Sequence, residues 1–350
     1  MVLQEIIKMK KALTLIVVLT IAASLFAGCG QQDDNAVPSE APAAAEPVKT
    51  AEIPAEEASV PAASEEAEEE EENYDTGDAS LDDPLNADDI GEQELLVVSF
   101  GTSFNDSRRL TIGGIERSLT EAFPDWSVRR GFTSQIIIDH VFSRDGEVID
   151  NVTQALDRAV DNGVRTLLVQ PTHLMHGFEY NDLKGELAEY ADAFDRILIG
   201  EPLLSSDEDF ASVADIIVRA TAEYDDGSTA ICFMGHGTEA ESNAVYAKMQ
   251  QVLSDKGCSN YYIGTVEAEP TVEDVLNMVK AGGYTRVMLR PLMVVAGDHA
   301  NNDMAGDEED SWKSKFEAEG FEVVCVLEGL GQLEEIQQLF VRHASAALAG

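Results

Sequence analysis

The sequence predicts an α/β protein whose globular part consists of two four-stranded α/β units with a cleft between them. From Glu94 onward, continuous apolar strands alternate with helical segments, and the second part of this region repeats the first. Strands that are apolar along their whole length are typical of parallel sheets covered by helices on both faces. The repeat favours two sheets over one eight-stranded barrel.

Eight strands are predicted, because short apolar runs are separated by longer helical segments. The strands are predicted at Leu95–Phe100, Ser127–Phe132, Thr166–Gln170, Arg196–Ile199, Thr229–Met234, Asn260–Val266, Arg286–Leu292 and Glu322–Leu327. The helical segments are predicted at Leu110–Phe123, Val152–Asn162, Asp182–Phe194, Asp209–Tyr224, Ser242–Lys256, Val272–Ala281, Asp310–Ala318 and Leu333–Leu348.

The first strand of each unit ends in a glycine turn, and this feature sets the predicted alignment of the repeat. Residues Val98–Ser103 align with Cys232–Gly237, which places Thr102 over His236. Polar residues at matching strand ends would then face one another across the cleft. Thr102 and Ser103 are therefore predicted to bind the substrate.

A second pair of segments extends the repeat. Gln170–Pro171 aligns with Arg290–Pro291, and without gaps Glu179 then matches His299. Glu179 is predicted to accept a proton opposite His299. Its alternative role is that of an acidic residue at a helix N-terminus. Arg290 joins the residues predicted to bind the substrate.

Two histidines follow apolar strands and predict a metal or proton-transfer site. His236 lies between two glycines after the fifth strand, and His299 follows Gly297 after the seventh. The carboxyl ends of parallel strands are where ligands bind in open α/β sheets, and imidazole suits both chemistries. Glu267, after the sixth strand, completes a plausible open site for a divalent metal ion.

The other four histidines are weighed separately. His173 is predicted to line the cleft and bind substrate, whereas the role of His176 in the same loop is left open. His140, in an apolar helical stretch, and His343, on the last helix, are interpreted as core or surface residues.

The sequence lacks the motifs of several classes of protein. The sequence has no GxGxxG fingerprint and no P-loop, so nucleotide binding is not expected. It has no GxSxG elbow of a hydrolase. The four cysteines show no CxxC or zinc-finger spacing.

The first 30 residues have the order of an export signal: three lysines, an apolar run from Ala12 to Ala27, then Gly28 and Cys29. Leu25–Cys29 resembles a bacterial lipoprotein box, in which the cysteine is lipidated and becomes the new N-terminus. Met9 is an alternative start. An uncleaved membrane anchor is disfavoured, because the apolar run is shorter than the ~20 residues that a span needs. We expect an extracytoplasmic protein anchored to a membrane by lipid.

Residues 31–90 predict a disordered acidic linker, because they hold too few large apolar residues to offset the entropy of ordering. A chain starting near Gly91 is therefore expected to fold alone. Of the total net charge of −43, the first 30 residues contribute +2 and the linker −19, which leaves −26 on residues 91–350. This balance excludes nucleic acid as an expected partner, because phosphate binding needs a basic surface.

Several segments resemble the anaerobic cobalt chelatases. They are Leu95–Ser103, Arg130–Ser134, Glu201–Ser206, Phe233–Gly237, Gly264–Glu267, Pro291–Ala300, Asn302–Met304 and Asp310–Lys313.

The resemblance implies a fold of two Rossmann-like halves with a tetrapyrrole between them. It also implies insertion of Co²⁺ into sirohydrochlorin on the anaerobic cobalamin pathway, without ATP; Fe²⁺ and Ni²⁺ are alternative substrate metals. By this resemblance His236, Glu267 and His299 would hold the metal, and Glu179 would assist. Sirohydrochlorin carries eight carboxylates, so local cations are expected to offset the negative domain. The candidates are Arg108, Arg109, Arg129, Arg130 and Arg290.

A second hypothesis is a binding protein. Two lobes, a cleft and a lipid tether also describe an extracytoplasmic receptor that passes a tetrapyrrole or metal to a transporter. A homo-oligomer is compatible with either hypothesis. The predicted boundaries are 1–30 for the signal, 31–90 for the linker, 91–225 for the first half and 226–350 for the second half, which carries the metal site.

Overall fold

Eight parallel strands form two four-stranded sheets in the computed structural model, which describes residues 76–88 and 91–350. The strands are β1 Gln93–Ser99, β2 Ser127–Phe132, β3 Thr166–Pro171, β4 Arg196–Ile199, β5 Thr229–Gly235, β6 Tyr261–Thr265, β7 Arg286–Pro291 and β8 Glu322–Cys325. The helices are α1 Asn105–Leu110, α2 Ile112–Ala122, α3 Gln135–Asp145, α4 Val152–Asp161, α5 Phe178–Glu189, α6 Asp207–Ala220, α7 Ala244–Asp255, α8 Val272–Gly282, α9 Trp312–Ala318 and α10 Glu334–Ala349.

The two sheets have the same topology. The strand order is β2-β1-β3-β4 in the first and β6-β5-β7-β8 in the second, with every pairing parallel. The central strands β1 and β5 are buried almost throughout, as their continuous apolar sequences predict. The predicted fold class, α/β with two four-stranded parallel sheets, is confirmed.

The strand register corrects the predicted alignment of the first part of the repeat. Val98 of β1 lies opposite Pro171, and Met234 of β5 lies opposite Pro291. Val98 is therefore the counterpart of Met234, whereas the sequence alignment paired it with Cys232. The shift is two residues.

The shift changes which residue corresponds to His236. Phe100, and not Thr102, occupies the equivalent position in the first half. Gly101 and Gly237 become equivalent, and both have a positive φ, 105° and 91°. A side chain at such a φ is strained, so this turn needs glycine in both halves. The sequence alignment used the wrong glycine of the pair that brackets His236.

The second part of the repeat holds in the structure. Helix α5 begins after Gly177, and a helical turn begins after Gly297. In each case the backbone N–H four residues later donates to the carbonyl of that glycine. Glu179 and His299 therefore occupy equivalent positions on these two turns.

The last helix of each half packs on the other half. Helix α6 packs against α7, and Thr221 at its end lies 3.0 Å from the hydroxyl of Tyr261 on β6. Helix α10 packs against α2, β3 and β4, and Ser118 of α2 donates to Gln337 of α10 at 2.9 Å. We call α6 and α10 the exchanged helices. One apolar core therefore crosses the predicted boundary at 225/226, which stays a prediction.

Residues 76–88, which we call the N-terminal strap, pack on the first half and correct the end of the predicted linker. Asp82 accepts hydrogen bonds from Arg108 Nε at 2.7 Å and from Arg130 Nη1 at 2.6 Å, and all three side chains are buried. Leu85 packs against the apolar core. Burial alone would raise the pKa of Asp82, but the two guanidinium groups outweigh it and lower the pKa. The strap is thus an ordered part of the domain.

The predicted export signal, the lipidation site Cys29 and the linker up to residue 75 lie outside the described residues. Within 76–88 and 91–350, no helix has both the length and the apolar character needed to cross a bilayer.

Candidate functional site

A cavity of about 670 Å³ lies at the carboxyl ends of the strands and is lined by both halves. The first half contributes the segments after β1 and β3 together with part of α3. The second half contributes the segments after β5, β6 and β7. This is the edge at which open α/β sheets bind ligands, so the position agrees with the sequence-based expectation.

His236, Glu267 and His299, which we call the metal triad, meet on the second-half wall. One ligand atom from each lies within 4.8 Å of the others. The centroids of the two imidazole rings are 4.6 Å apart, and the rings are nearly perpendicular. His236 Nδ1 lies 3.8 Å from Glu267 Oε2. Two imidazoles and a carboxylate suit a borderline divalent ion such as Co²⁺. The exposed fractions of His236 and Glu267, 46% and 55%, leave the ligands open to the cavity.

The structural element that positions His299 differs from the predicted one. It does not lie at a strand end, because β7 ends at Pro291. Asp298 and His299 form the turn that leads into a π-helix at Ala300–Met304. The polar side chains of this segment bond within the helical turn, as in the hydrogen bond that Asn302 donates to Asp298.

Hydrogen bonds fix the orientation of both imidazoles. Nδ1 of His236 donates to the carbonyl of Gly237 at 2.8 Å, and Nδ1 of His299 donates to Asp303 Oδ2 at 2.7 Å. Each ring therefore carries its proton on Nδ1, and the lone pair of Nε2 is free to bind a metal. The hydrogen bond to Asp303 is the main reason that the pKa of His299 is raised.

Replacement of Asp303 by alanine should weaken cobalt binding, because His299 loses the acceptor that sets its tautomer. Partners of this kind contribute about 10–100-fold to metal affinity or activity. We expect the KM for Co²⁺ to rise by about that factor, with little change in thermal stability because Asp303 is 42% exposed.

Asp307→Ala is the matched control, since Asp307 lies in the same segment but pairs with Lys313 at the surface. Equal KM values for Co²⁺ in Asp303→Ala and the control would show that Asp303 does not position the imidazole.

The first-half wall carries four of the predicted residues. Thr102 and Ser103 are buried and line the cavity beyond β1. Glu179 lines it from the first turn of α5, and His173 from the loop before that helix. Neither ring nitrogen of His173 has a hydrogen-bond partner, and burial lowers its pKa to about 4. Its imidazole is therefore neutral at physiological pH.

Arg290 is not brought to this cavity. Its guanidinium is buried beside Glu328, with 3.3 Å between Nη2 and Oε2. Alternate residues of a strand point to opposite faces, so a place near the end of β7 did not decide where the side chain would lie. The predicted role of Arg290 in substrate binding has no support in the geometry.

The other predicted cations are also engaged elsewhere. Arg108 and Arg130 are buried and bind the strap. Arg109 pairs with Asp106 at 3.0 Å, and Arg129 donates to the carbonyls of Ala87 and Val128. None of them lines the cavity.

Three further histidines can now be placed. His140 on α3 lines the cavity, although the sequence favoured a core or surface role. His176 lies outside the lining, with Nε2 2.6 Å from Glu201 Oε2. His343 lies 3.0 Å from Asp209 and supports α10. The role of His176 stays open, and the structure shows it in a surface contact.

Several lining residues were missed by the sequence reasoning. Phe100, Ile136 and Phe178 line the cavity as exposed apolar side chains. Tyr246 accepts a hydrogen bond from the N–H of Gly237 at 3.2 Å and supports the turn that carries His236. The sequence did contain a sign of these apolar lining residues. Phe100 directly precedes Gly101 and Phe178 directly follows Gly177, so both are large apolar residues at turns.

Comparison with known proteins decides the family. The family model described as cobalt chelatase (CbiK) matches residues 93–349. This chain belongs to the cobalt chelatase family. The chelatase is 37% identical over 257 residues to the sirohydrochlorin cobaltochelatase of Salmonella typhimurium, covering 73% of this chain and 97% of that protein. A sirohydrochlorin cobaltochelatase of Nitratidesulfovibrio vulgaris is 29% identical, with 73% and 90% covered.

Solved structures support the fold. SirB from Bacillus subtilis with Fe³⁺ matches with a TM-score of 0.52 at 12% identity, covering 74% of this chelatase and 96% of SirB. SirB from Bacillus subtilis subspecies spizizenii in complex with cobalt matches with a TM-score of 0.51 at 13% identity, covering 73% and 95%. The predicted family and its metal, cobalt, are confirmed, while the roles of individual residues stay predictions.

Proposed function

We propose that this chelatase inserts Co²⁺ into sirohydrochlorin, as in anaerobic cobalamin biosynthesis. The observation that carries the proposal is the metal triad, which opens into a cavity whose first-half wall exposes Phe100, Ile136 and Phe178. A volume of about 670 Å³ is within the range of pockets that hold molecules of cofactor size. The names of the two curated relatives support the choice of macrocycle.

The residues of the site can account for the metal ion and the protons that the reaction transfers. Co²⁺ forms bonds to the ring nitrogens of the macrocycle, and two pyrrole N–H protons leave, so no electron is transferred. The Nε2 atoms of His236 and His299 hold the ion before transfer, together with Glu267. Once the ion has moved, these bases are free to accept protons, and Glu179 can accept from the opposite wall. The reaction needs no nucleotide.

Turnover distinguishes this proposal from the receptor hypothesis. Purified protein is mixed with sirohydrochlorin and Co²⁺ without oxygen, and the change in the absorbance of the macrocycle is followed. Many turnovers per protein support the enzyme. Tight binding of the macrocycle without insertion of Co²⁺, Fe²⁺ or Ni²⁺ would support the receptor instead. Comparison of the three metals ranks them as substrates.

We also propose that the chelatase is an extracytoplasmic lipoprotein, anchored through Cys29. The order of charged, apolar and small residues before Cys29 supports this. Cys29→Ala is expected to move the protein from the membrane fraction to the soluble fraction and to leave cobalt insertion unchanged. Retention in the membrane fraction after a high-salt wash would point to an uncleaved helix as the anchor. Light scattering of the released protein reports whether it is a homo-oligomer.

A further inference from the structure

The charge of the cavity wall conflicts with the charge of the proposed substrate. Among the residues that the structure describes, no lysine or arginine lines the cavity, whereas four carboxylates do: Glu179, Glu239, Glu267 and Asp298. The cations that the sequence offered for the carboxylates of the macrocycle are held by acidic partners or backbone carbonyls elsewhere. A macrocycle with eight carboxylates therefore meets a negative wall inside a negative domain.

The same cavity offers large apolar surfaces. Phe100, Ile136 and Phe178 are 49%, 72% and 60% exposed, and all three line the first-half wall. Large apolar side chains are normally buried, so an exposed group in a concave site indicates a surface that a ligand covers. Phe100 is the counterpart of His236, so this apolar wall belongs to the half that lacks the metal triad. A flat ring between the walls would have one face on these apolar side chains and the other toward the metal triad.

We propose that this site holds its macrocycle through the ring faces alone and repels the carboxylates at the ring edge. Tetrapyrroles with fewer carboxylates then bind more tightly, and added salt strengthens the binding of the highly carboxylated ones. The inference rests on the proposed function in one respect, that the ligand is a tetrapyrrole.

Screening of charges by salt determines whether added salt strengthens or weakens binding of the macrocycle. The Debye length falls from about 30 Å at 0.01 M salt to about 10 Å at 0.1 M, so salt weakens repulsion between the wall and the carboxylates. A site that used lysine or arginine would show the opposite slope, because salt would weaken attraction. Binding of Co²⁺ to the same negative wall must weaken with salt. The two substrates therefore respond to salt in opposite directions.

Two porphyrins that share a ring test the proposal. Uroporphyrin carries eight carboxylates and coproporphyrin four, and binding of each to the purified full chain is followed by the absorbance and fluorescence of the ring. At about 0.02 M KCl we expect coproporphyrin to bind roughly 10-fold more tightly, and at about 0.3 M KCl we expect the Kd of uroporphyrin to fall at least about threefold.

A matched pair of variants separates the cavity from the overall charge. Glu239→Gln removes a lining carboxylate outside the metal triad and should tighten uroporphyrin binding at low salt. Asp125→Asn removes one exposed charge just before β2, at the opposite edge of the sheet, and should not. Equal effects of the two variants would assign the repulsion to net charge and overturn the proposal.

The remaining outcomes are also decisive. A Kd of uroporphyrin that rises with salt or ignores it, or tighter binding of uroporphyrin than of coproporphyrin at low salt, overturns the proposal. So does failure of both porphyrins to bind at either salt concentration. Expected porphyrin binding without cobalt insertion keeps this inference and removes the proposed function, so the two can fail separately.

Discussion

Replacement of His236 or His299 by alanine is expected to lower Co²⁺ insertion into sirohydrochlorin at least about 100-fold. Each variant removes one of three ligands whose atoms lie within 4.8 Å of one another. Loss of an orienting partner alone costs about 10–100-fold, so loss of the ligand itself should cost no less. Anoxic absorbance assays with separate titrations of metal and macrocycle give the measurement. The affinity for Co²⁺ should fall, while the affinity for the macrocycle should stay close to that of the wild type.

His176→Ala is the matched control, because this histidine lies near the cavity but outside its lining, in contact with Glu201. It should retain wild-type insertion. Near-normal rates in both His236→Ala and His299→Ala would show that the metal is held elsewhere.

Removal of the N-terminal strap is expected to destabilise the domain by about 3–5 kcal/mol, because it takes Asp82 away from two buried guanidinium groups. Arg108 keeps Glu147 and Arg130 keeps Glu116, but each loses one of two acidic partners. Urea unfolding of a chain that starts at Gly91, compared with one that starts at Thr76, gives the difference directly.

Two substitutions in the longer chain separate the ion pairs from the rest of the strap. Asp82→Asn should produce most of the loss, whereas Asp88→Asn should cost less than about 1 kcal/mol, because the pair between Asp88 and Arg158 is largely exposed. Equal unfolding midpoints for the two chain lengths would restore the sequence-based expectation that residue 91 is a sufficient start.

The sequence predicted what depends on local patterns. Strand β4 has the predicted bounds, because a short apolar run after a charged residue is readable without tertiary information. Strand β2 also has the predicted bounds, although its sequence SVRRGF is not a continuous apolar run. The metal triad was also predicted, since His236 and Glu267 follow strands closely and parallel strands bring their carboxyl ends to one edge.

The sequence could not predict what depends on distant partners. Asp82 lies 48 positions before Arg130, and an acidic, proline-containing segment carries no sign that one carboxylate will be buried. The position of Arg290 also depends on a distant residue. Its partner Glu328 lies 38 positions later, so the sequence around Arg290 did not show that its side chain would be held away from the cavity. The predicted alignment of the two halves was wrong by two residues because Gly235 and Gly237 are equally compatible with a turn after the strand. Only the pairing of β5 with β7 distinguishes them.

The exchanged helices set the order in which the protein can be completed during synthesis. The surface formed by α2, β3 and β4 is covered by α10, which is synthesised after the other strands and helices described above. A nascent first half therefore carries an uncovered apolar surface until α10 has been synthesised, although the last strand of its own sheet ends at Ile199. Neither half is a complete folding unit, and any fragment that stops before Glu334 leaves the first sheet without its cover.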